Sequence, residues 1–173
     1  KHLLSIKSFT LTLNKFNPAI NKFVNQYTVN LSSTNNQRHI SISTDIEDVL
    51  KGGRVDSVEP SGHDPATAYI SILRYQLGDW SPYIYRTKNY GQSWELIVNG
   101  IPNDYPVRVV REDPIKKNLL FAGTEFGIFV SKDEGKNWSR FQKNMPITPI
   151  TDLKIHRDDL VLSTMGRSFW ILD

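Results

Sequence analysis

An eight-residue pattern, Thr/Ser-x-Asn/Asp-x-Gly-x-x-Trp, occurs twice and constrains the fold more than any other feature. It reads Thr87-Lys88-Asn89-Tyr90-Gly91-Gln92-Ser93-Trp94 and then Ser131-Lys132-Asp133-Glu134-Gly135-Lys136-Asn137-Trp138. Each copy follows a short run with strand character, Tyr83–Arg86 in the first case and Ile128–Val130 in the second. The residue types suit a tight hairpin. The Asp133 carboxylate can accept hydrogen bonds from backbone N–H groups of its own turn. Gly135 can take the positive φ such a turn requires. Trp138 opens the outgoing strand with a large apolar face. Asn89 keeps the acceptor but not the charge, which makes the first turn the weaker of the two. Trp138 follows Trp94 by 44 residues, room for four short strands and their turns.

Alternation and turn residues place the other strands. From Arg54 to Glu59 the pattern alternates on Val55 and Val58. Asp64-Pro65 is a turn, Ala68–Leu73 a strand, and residues 74–82 a long loop leading to Tyr83–Arg86. The order then recurs: Val107–Arg111, a turn at Asp113-Pro114, Leu119–Ala122, a loop over residues 123–127, and Ile128–Val130. A third round runs Leu153–His156, a turn at 157–159, Leu160–Ser163, a bend at 164–167, and Ser168–Leu172; it has no third copy of the eight-residue pattern. The spacing predicts an all-β chain of four-stranded antiparallel units at residues 52–100, 101–146 and 147–173, the last with three strands. Residues 1–51 read either as an irregular lead-in or as a degenerate unit. Leu11 and Leu13 alternate with Phe9, as Ile40 does with Ile42, which allows short strands.

These motifs resemble the Asp-box, or BNR repeat, of sialidases, sortilin-type receptors and related β-propellers. Residues 52–173 are similar to the C-terminal blades of bacterial BNR-repeat proteins of the glycosyl hydrolase-like and sortilin-like type. The runs Val58–Tyr69, Pro106–Pro114, Phe121–Gly127 and Ser163–Asp173 carry the likeness, and residues 1–50 lie outside it. The resemblance implies a β-propeller segment with Ser131, Asp133, Gly135 and Trp138, and Thr87, Asn89, Gly91 and Trp94, as structural box residues. It also implies a secreted or periplasmic location. Two full blades and most of a third do not close a ring, so further blades of a longer chain are expected partners.

Composition excludes several classes. A formal net charge of +3 is too small to argue for nucleic acid, and no apolar run approaches a membrane span. There is no cysteine, and His2, His39, His63 and His156 have no metal-ligand spacing, so neither metal nor cofactor is expected. No phosphate loop, nucleophile elbow or Arg-Ile-Pro motif is present.

In a propeller the turns between strands one and two and between three and four share one rim. The two–three loops and blade-to-blade loops share the other, where ligands of this fold usually bind. That second rim would carry residues 74–82, 99–106, 123–127, 143–151 and 164–168. Its candidate catalytic carboxylates are Asp79, Asp104 and Glu125, and glycoside hydrolysis needs two. Its candidate ligand contacts are Tyr75, Trp80, Tyr105, Phe126 and Arg167, a set suited to a sugar or a peptide terminus. Structural uses compete: Glu125 with Arg167 as an ion pair, Asp104 as a turn residue, Arg108 and Arg111 as ion-pair partners of Glu112. Two functions follow from these residues, a non-catalytic propeller segment binding a protein or a glycan, and part of a secreted glycoside hydrolase.

Overall fold

The computed structural model describes residues 51–173 in full, together with the backbone of four strands between residues 11 and 38. Those four are β1 (Leu11–Asn17), β2 (Lys22–Val29), β3 (Leu31–Ser33) and β4 (Asn36–Arg38). They pair antiparallel as β1–β2 and β3–β4. The Leu11/Leu13 alternation falls inside β1, while Phe9, Ile40 and Ile42 lie outside the described residues.

Three antiparallel sheets follow. Sheet I is β5 (Arg54–Pro60), β6 (Ala68–Leu73), β7 (Ile84–Thr87) and β8 (Glu95–Leu96), in that order. Sheet II repeats it with β9 (Val107–Glu112), β10 (Leu120–Thr124), β11 (Gly127–Ser131) and β12 (Ser139–Arg140). Sheet III has β13 (Ile150–His156), β14 (Asp159–Thr164) and β15 (Phe169–Leu172). Consecutive strands are neighbours throughout, so each sheet is an up-and-down meander. This connectivity puts the β5–β6, β7–β8, β9–β10 and β11–β12 turns at one end, and the β6–β7, β8–β9 and β10–β11 connections at the other.

The sheets stack face to face. One core cluster joins Tyr69, Ile84 and Ile97 of the sheet I region to Val107, Val110, Leu120, Ala122, Phe129 and Trp138 of sheet II. A second joins Val109 and Ile128 to Ile150, Leu153, Leu160, Leu162 and Leu172 of sheet III. Every residue of β6 is buried, and Tyr69 lies on the face that packs against sheet II. Gly123 lets two sheets approach closely: a Cβ there would stand 2.7 Å from Ile150 and Val109 side-chain atoms.

Both eight-residue turns have the geometry their residues demand, and it is the same geometry. In the second, Ser131 Oγ donates to Asp133 Oδ1 at 2.8 Å and accepts the Gly135 N–H at 2.8 Å, while Asp133 Oδ1 accepts the Asn137 N–H at 2.9 Å. In the first, Thr87 Oγ1 donates to Asn89 Oδ1 at 3.0 Å and accepts the Gly91 N–H at 2.9 Å, while Asn89 Oδ1 accepts the Ser93 N–H at 2.9 Å. Tyr90 and Gly91 have φ of 59° and 85°, Glu134 and Gly135 63° and 85°. Each turn also clips onto the first turn of its own sheet. Tyr90 N–H donates to Ala66 O at 3.0 Å and Glu134 N–H to Asn118 O at 2.9 Å, so both lie on one rim as expected. Hydrogen bonds from the Asn137 side chain and backbone, with Ser131, hold the Asp133 carboxyl down at about 2, against burial acting the other way.

The second turn also latches sheet II onto sheet I. Trp138 is 4% exposed. Its Nε1–H donates to Ile97 O, and its backbone N–H to Asn99 O, both at 2.8 Å. Gly100, at φ 96°, runs so close beneath that a Cβ would meet Trp138 O at 2.2 Å. Arg86, buried in β7, donates to Glu134 O at 2.6 Å, and Lys88 Nζ reaches Glu134 Oε2 at 2.6 Å.

Two strand-level expectations need correction. Val55 and Val58 do not anchor β5: a bulge between Val55 and Ser57 turns Ser57 into the buried position, where it pairs with Ser71. The loop over 123–127 is shorter than expected, because Thr124 pairs with Gly127 and only Glu125-Phe126 turn the chain.

Candidate functional site

The second rim is built where sheet I meets sheet II. Its floor comes from the start of β5 (Arg54, Asp56) and from Arg108 on β9. Its walls are the β6–β7 loop, residues 74–83, and the Glu125-Phe126 hairpin. The β6–β7 loop is fixed by its own side chains rather than left free. A 3-10 turn at Tyr75–Leu77 ends on Gly78, at φ 78°. Asp79 then accepts the Ser81 N–H at 3.1 Å and the Tyr83 hydroxyl at 2.8 Å, and pairs with Arg74 at 3.0 Å. Burial raises the Asp79 pKa, but these hydrogen bonds outweigh it and leave the carboxyl below its ordinary range. Burial, then the bond to Asp79, pushes the Tyr83 hydroxyl up.

Glu125 is similarly engaged. Its Oε1 meets Arg108 Nη2 at 2.5 Å, both side chains being 13% exposed. The sequence offers Glu125 either Arg167 or backbone as a structural partner; the tight hairpin directs it instead to Arg108, on β9 of its own sheet. Arg108 also approaches Asp56 at 4.0 Å, and its guanidinium lies 5.9 Å from the Tyr75 ring centroid. Arg54 bonds Asp56 in turn. Three arginines, Arg54, Arg74 and Arg108, thus face three carboxylates, Asp56, Asp79 and Glu125.

Aromatic rings flank this balanced cluster. Tyr75 and Trp80 stand 6.0 Å apart at 45°, with Trp80 48% exposed. Tyr105 and Phe126 stand 4.9 Å apart, and Tyr105 packs edge-on against Phe129 of the core at 5.8 Å. Arg108 links the two pairs, touching Tyr75 on one side and Glu125, next to Phe126, on the other. Asp104 is exposed at the centre of a turn closed by Tyr105 N–H to Pro102 O at 3.1 Å. Arg167 is exposed in the β14–β15 connection, where its N–H donates to Thr164 Oγ1 at 3.1 Å and its carbonyl accepts the Trp170 indole at 2.8 Å. The structure therefore brings Tyr75 and Glu125 together at Arg108, with Trp80 beside Tyr75 and Tyr105 beside Phe126, and sets Arg167 on the next sheet.

The sequence reading did not single out Arg54, Asp56 or Arg74. The Arg54-x-Asp56 spacing was the available signal, since residues two apart on a strand share a face. Arg111 does not pair with Glu112. It meets Asp152 at 2.9 Å and Glu59 at 3.6 Å, while Glu112 accepts the Gly62 N–H at 3.0 Å and the Tyr69 hydroxyl at 3.3 Å. Among the described residues no group of His, Asp and Glu could hold a metal ion, and no helix is long and apolar enough to cross a membrane.

No protein-family model matches this chain, and no curated protein matches it significantly. Solved structures do. An ancestral GH74 enzyme superposes on 67% of this chain and 14% of its own length, with 20% identity and a TM-score of 0.54. YCF48 bound to D1 peptide covers 86% of this chain and 40% of its own, with 18% identity and a TM-score of 0.51. The GH74 xyloglucanase from Xanthomonas campestris covers 69% and 20%, with 15% identity and a TM-score of 0.51. With three stacked up-and-down sheets, the architecture is that of these neighbours. The fold is a β-propeller segment. Sheets I, II and III are its blades, and the chain spans less than half the length of each of these neighbours. Identities this low carry the fold and no activity.

Proposed function

We propose that this chain is part of an Asp-box (BNR-repeat) propeller of the sortilin-like kind, and that its Arg108-centred rim binds a protein or glycan ligand without catalysing a reaction. One observation carries the reading: Asp79 and Glu125 are each locked to an arginine, while Trp80 stands half exposed beside them. A glycosidase needs one carboxyl held protonated as acid and a second free as base or nucleophile. Glu125 is instead in direct contact with a permanent cation, and Asp79 is held below its ordinary range. A charge-balanced floor with aromatic walls favours an uncharged or zwitterionic surface, such as a sugar ring stacked on Trp80 or a peptide segment. That YCF48 has been solved with a peptide bound supports the protein half of the proposal by fold analogy alone.

The second reading, part of a glycoside hydrolase, is favoured by Asp104, an exposed carboxylate on the same rim. Purified protein incubated with a panel of aryl glycosides and polysaccharides separates the two. No turnover is expected, together with glycan or peptide binding that Trp80→Ala weakens at least tenfold while leaving the fold intact. Turnover lost in Glu125→Gln or Asp79→Asn, with folding unchanged, would establish the hydrolase.

A further inference from the structure

The second rim changes character from blade II to blade III. In both blades the loop between the second and third strands is tied to the preceding linker by the same bond. Glu125 N–H donates to Pro106 O at 3.0 Å, and Met165 N–H to Pro149 O at 2.9 Å. The hydroxyl one residue earlier gives the same match, Thr124 Oγ1 donating to Gly127 O and Thr164 Oγ1 to Ser168 O. Met165 therefore stands where Glu125 stands. Counted back two residues from the two prolines, Ile147 stands where Asp104 stands. Two carboxylates of blade II are thus replaced in blade III by apolar side chains, and both are open to solvent: Ile147 is 64% and Met165 55% exposed. Asp104 is exposed too, although blade III follows it, so exposure at that position belongs to the rim itself. The hydrogen bond and ion pair that hold Glu125 both come from its own blade, not from the blade that follows.

The polar groups around this apolar pair are already used within the loops. Thr148, 4% exposed, donates its hydroxyl to Met165 O at 3.2 Å. Thr164 Oγ1 donates to Ser168 O at 2.7 Å and accepts the Arg167 N–H at 3.1 Å. A sugar needs hydroxyl partners or a flat aromatic face, and neither Ile147 nor Met165 supplies either. They suit an apolar side chain instead, and the flexible, polarisable thioether of methionine adapts to the shape that arrives. Two residues beyond Met165, the Arg167 guanidinium is exposed, with no hydrogen-bond or ion-pair partner among the described residues. Blade II sets the Glu125 carboxylate against its rim arginine. Blade III has Met165 in that place, and the charge of Arg167 stays unanswered.

We propose that the ligand of this rim is a peptide, with an apolar side chain seated on Ile147 and Met165 and a neighbouring carboxylate paired with Arg167. The proposal rests on the ligand-binding reading of the Arg108 rim and chooses between its two ligand classes. Going round the rim, the peptide lies against Trp80 and Tyr75 of blade I, crosses the Phe126 hairpin of blade II and reaches Ile147 and Met165 at blade III. The charge-balanced floor around Arg108 takes an uncharged stretch of it, and its acidic residue falls beyond that floor, at Arg167.

The probe is a phage-displayed library of random linear peptides panned against the immobilised full chain, with an oligosaccharide array run in parallel. Recovered peptides are synthesised and titrated by fluorescence anisotropy. They are expected to set a Leu, Ile, Met or Phe beside an Asp or Glu. The double variant Ile147→Asp/Met165→Glu installs the blade II residue types at two exposed positions. It should weaken these peptides about tenfold, and Arg167→Ala about fivefold, with thermal melting unchanged. Peptides indifferent to the double variant would overturn the inference; if they are still lost in Trp80→Ala, the binding role of the Arg108 rim stands. Trp80-dependent glycan binding with no peptide recovered would likewise overturn the inference and leave that role intact. Failure of both probes to bind would overturn the binding role itself, and this inference with it.

Discussion

Trp138→Ala tests the latch between blades I and II. The indole is 4% exposed and packs in the core cluster with Tyr69, Ile97 and Ile101. Burying a tryptophan removes about 150–250 Å² from water, which at about 25 cal/mol per Å² is worth about 4–6 kcal/mol. Part of that is recovered when neighbours relax into the cavity. The variant also strips the Ile97 carbonyl of its donor, held now at 2.8 Å, at a cost of about 1–3 kcal/mol if water cannot replace it. A net loss of about 3–5 kcal/mol is expected, in the range measured for large-to-small core substitutions. The assay is urea denaturation followed by far-ultraviolet circular dichroism, so that the signal does not depend on the deleted fluorophore. Trp138→Phe should fall between Ala and the parent. Trp80→Ala removes the same side chain from a half-exposed position and should change stability by no more than about 0.5 kcal/mol. A Trp138→Ala midpoint equal to the parent's, at unchanged slope, would refute the reasoning, because an indole buried across two blades cannot be deleted without cost.

The Asp133 turn carboxylate should give an acid-sensitive component of stability. The folded Asp133 pKa, about 2, lies below its ordinary value of 3.8, so its contribution is fully present above about pH 4 and disappears as pH falls toward 2. The group is solvent-accessible, so screening limits this to about 1 kcal/mol. Asp133→Asn should flatten that part of the stability–pH curve, and Asn89→Asp should add a similar acid-sensitive gain to the first turn; an unchanged curve in both would show that the turn charge is immaterial. At the rim, Arg108→Ala leaves the partly buried Glu125 without its cation and should cost about 2–4 kcal/mol, whereas Arg108→Ala/Glu125→Ala together should cost less than the sum of the single changes. Strict additivity in that cycle would show that the pair is not coupled.

The two eight-residue turns were legible because their chemistry closes within a few residues. Ser131 Oγ reaches Gly135 N and Asp133 reaches Asn137 N, and nothing outside the hairpin is needed to satisfy them. Strand order was legible because turn residues recur with the same spacing in each round. The buried side of β5 was not. A bulge shifts its phase by one residue, and paired hydroxyls let Ser57 and Ser71 occupy positions that hydropathy gives to valine. The ion pairs were misassigned for a related reason. Arg111 and Glu112 are adjacent on β9, and adjacent strand residues point to opposite faces. Arg111 meets Asp152 across 41 residues of sequence, and that contact exists only once blades II and III have stacked.

The same stacking explains why the candidate site resisted reading from the sequence. Asp56 and Tyr75 come from blade I, Arg108 and Glu125 from blade II, and Arg108 is the residue that touches both sides. Its position is set by where β9 rests on blade I. The Ser57–Ser71 pair fixes that point mid-strand, by holding the Arg108 carbonyl itself. The Trp138 and Glu134 contacts fix it at the opposite rim. The candidate ligand rim and the rim of the eight-residue turns are therefore two ends of one interface. A change such as Trp138→Ala, made at the rim that carries no candidate ligand contact, should loosen the Arg108–Asp56 approach at the other end and weaken ligand binding beyond what the loss of global stability explains.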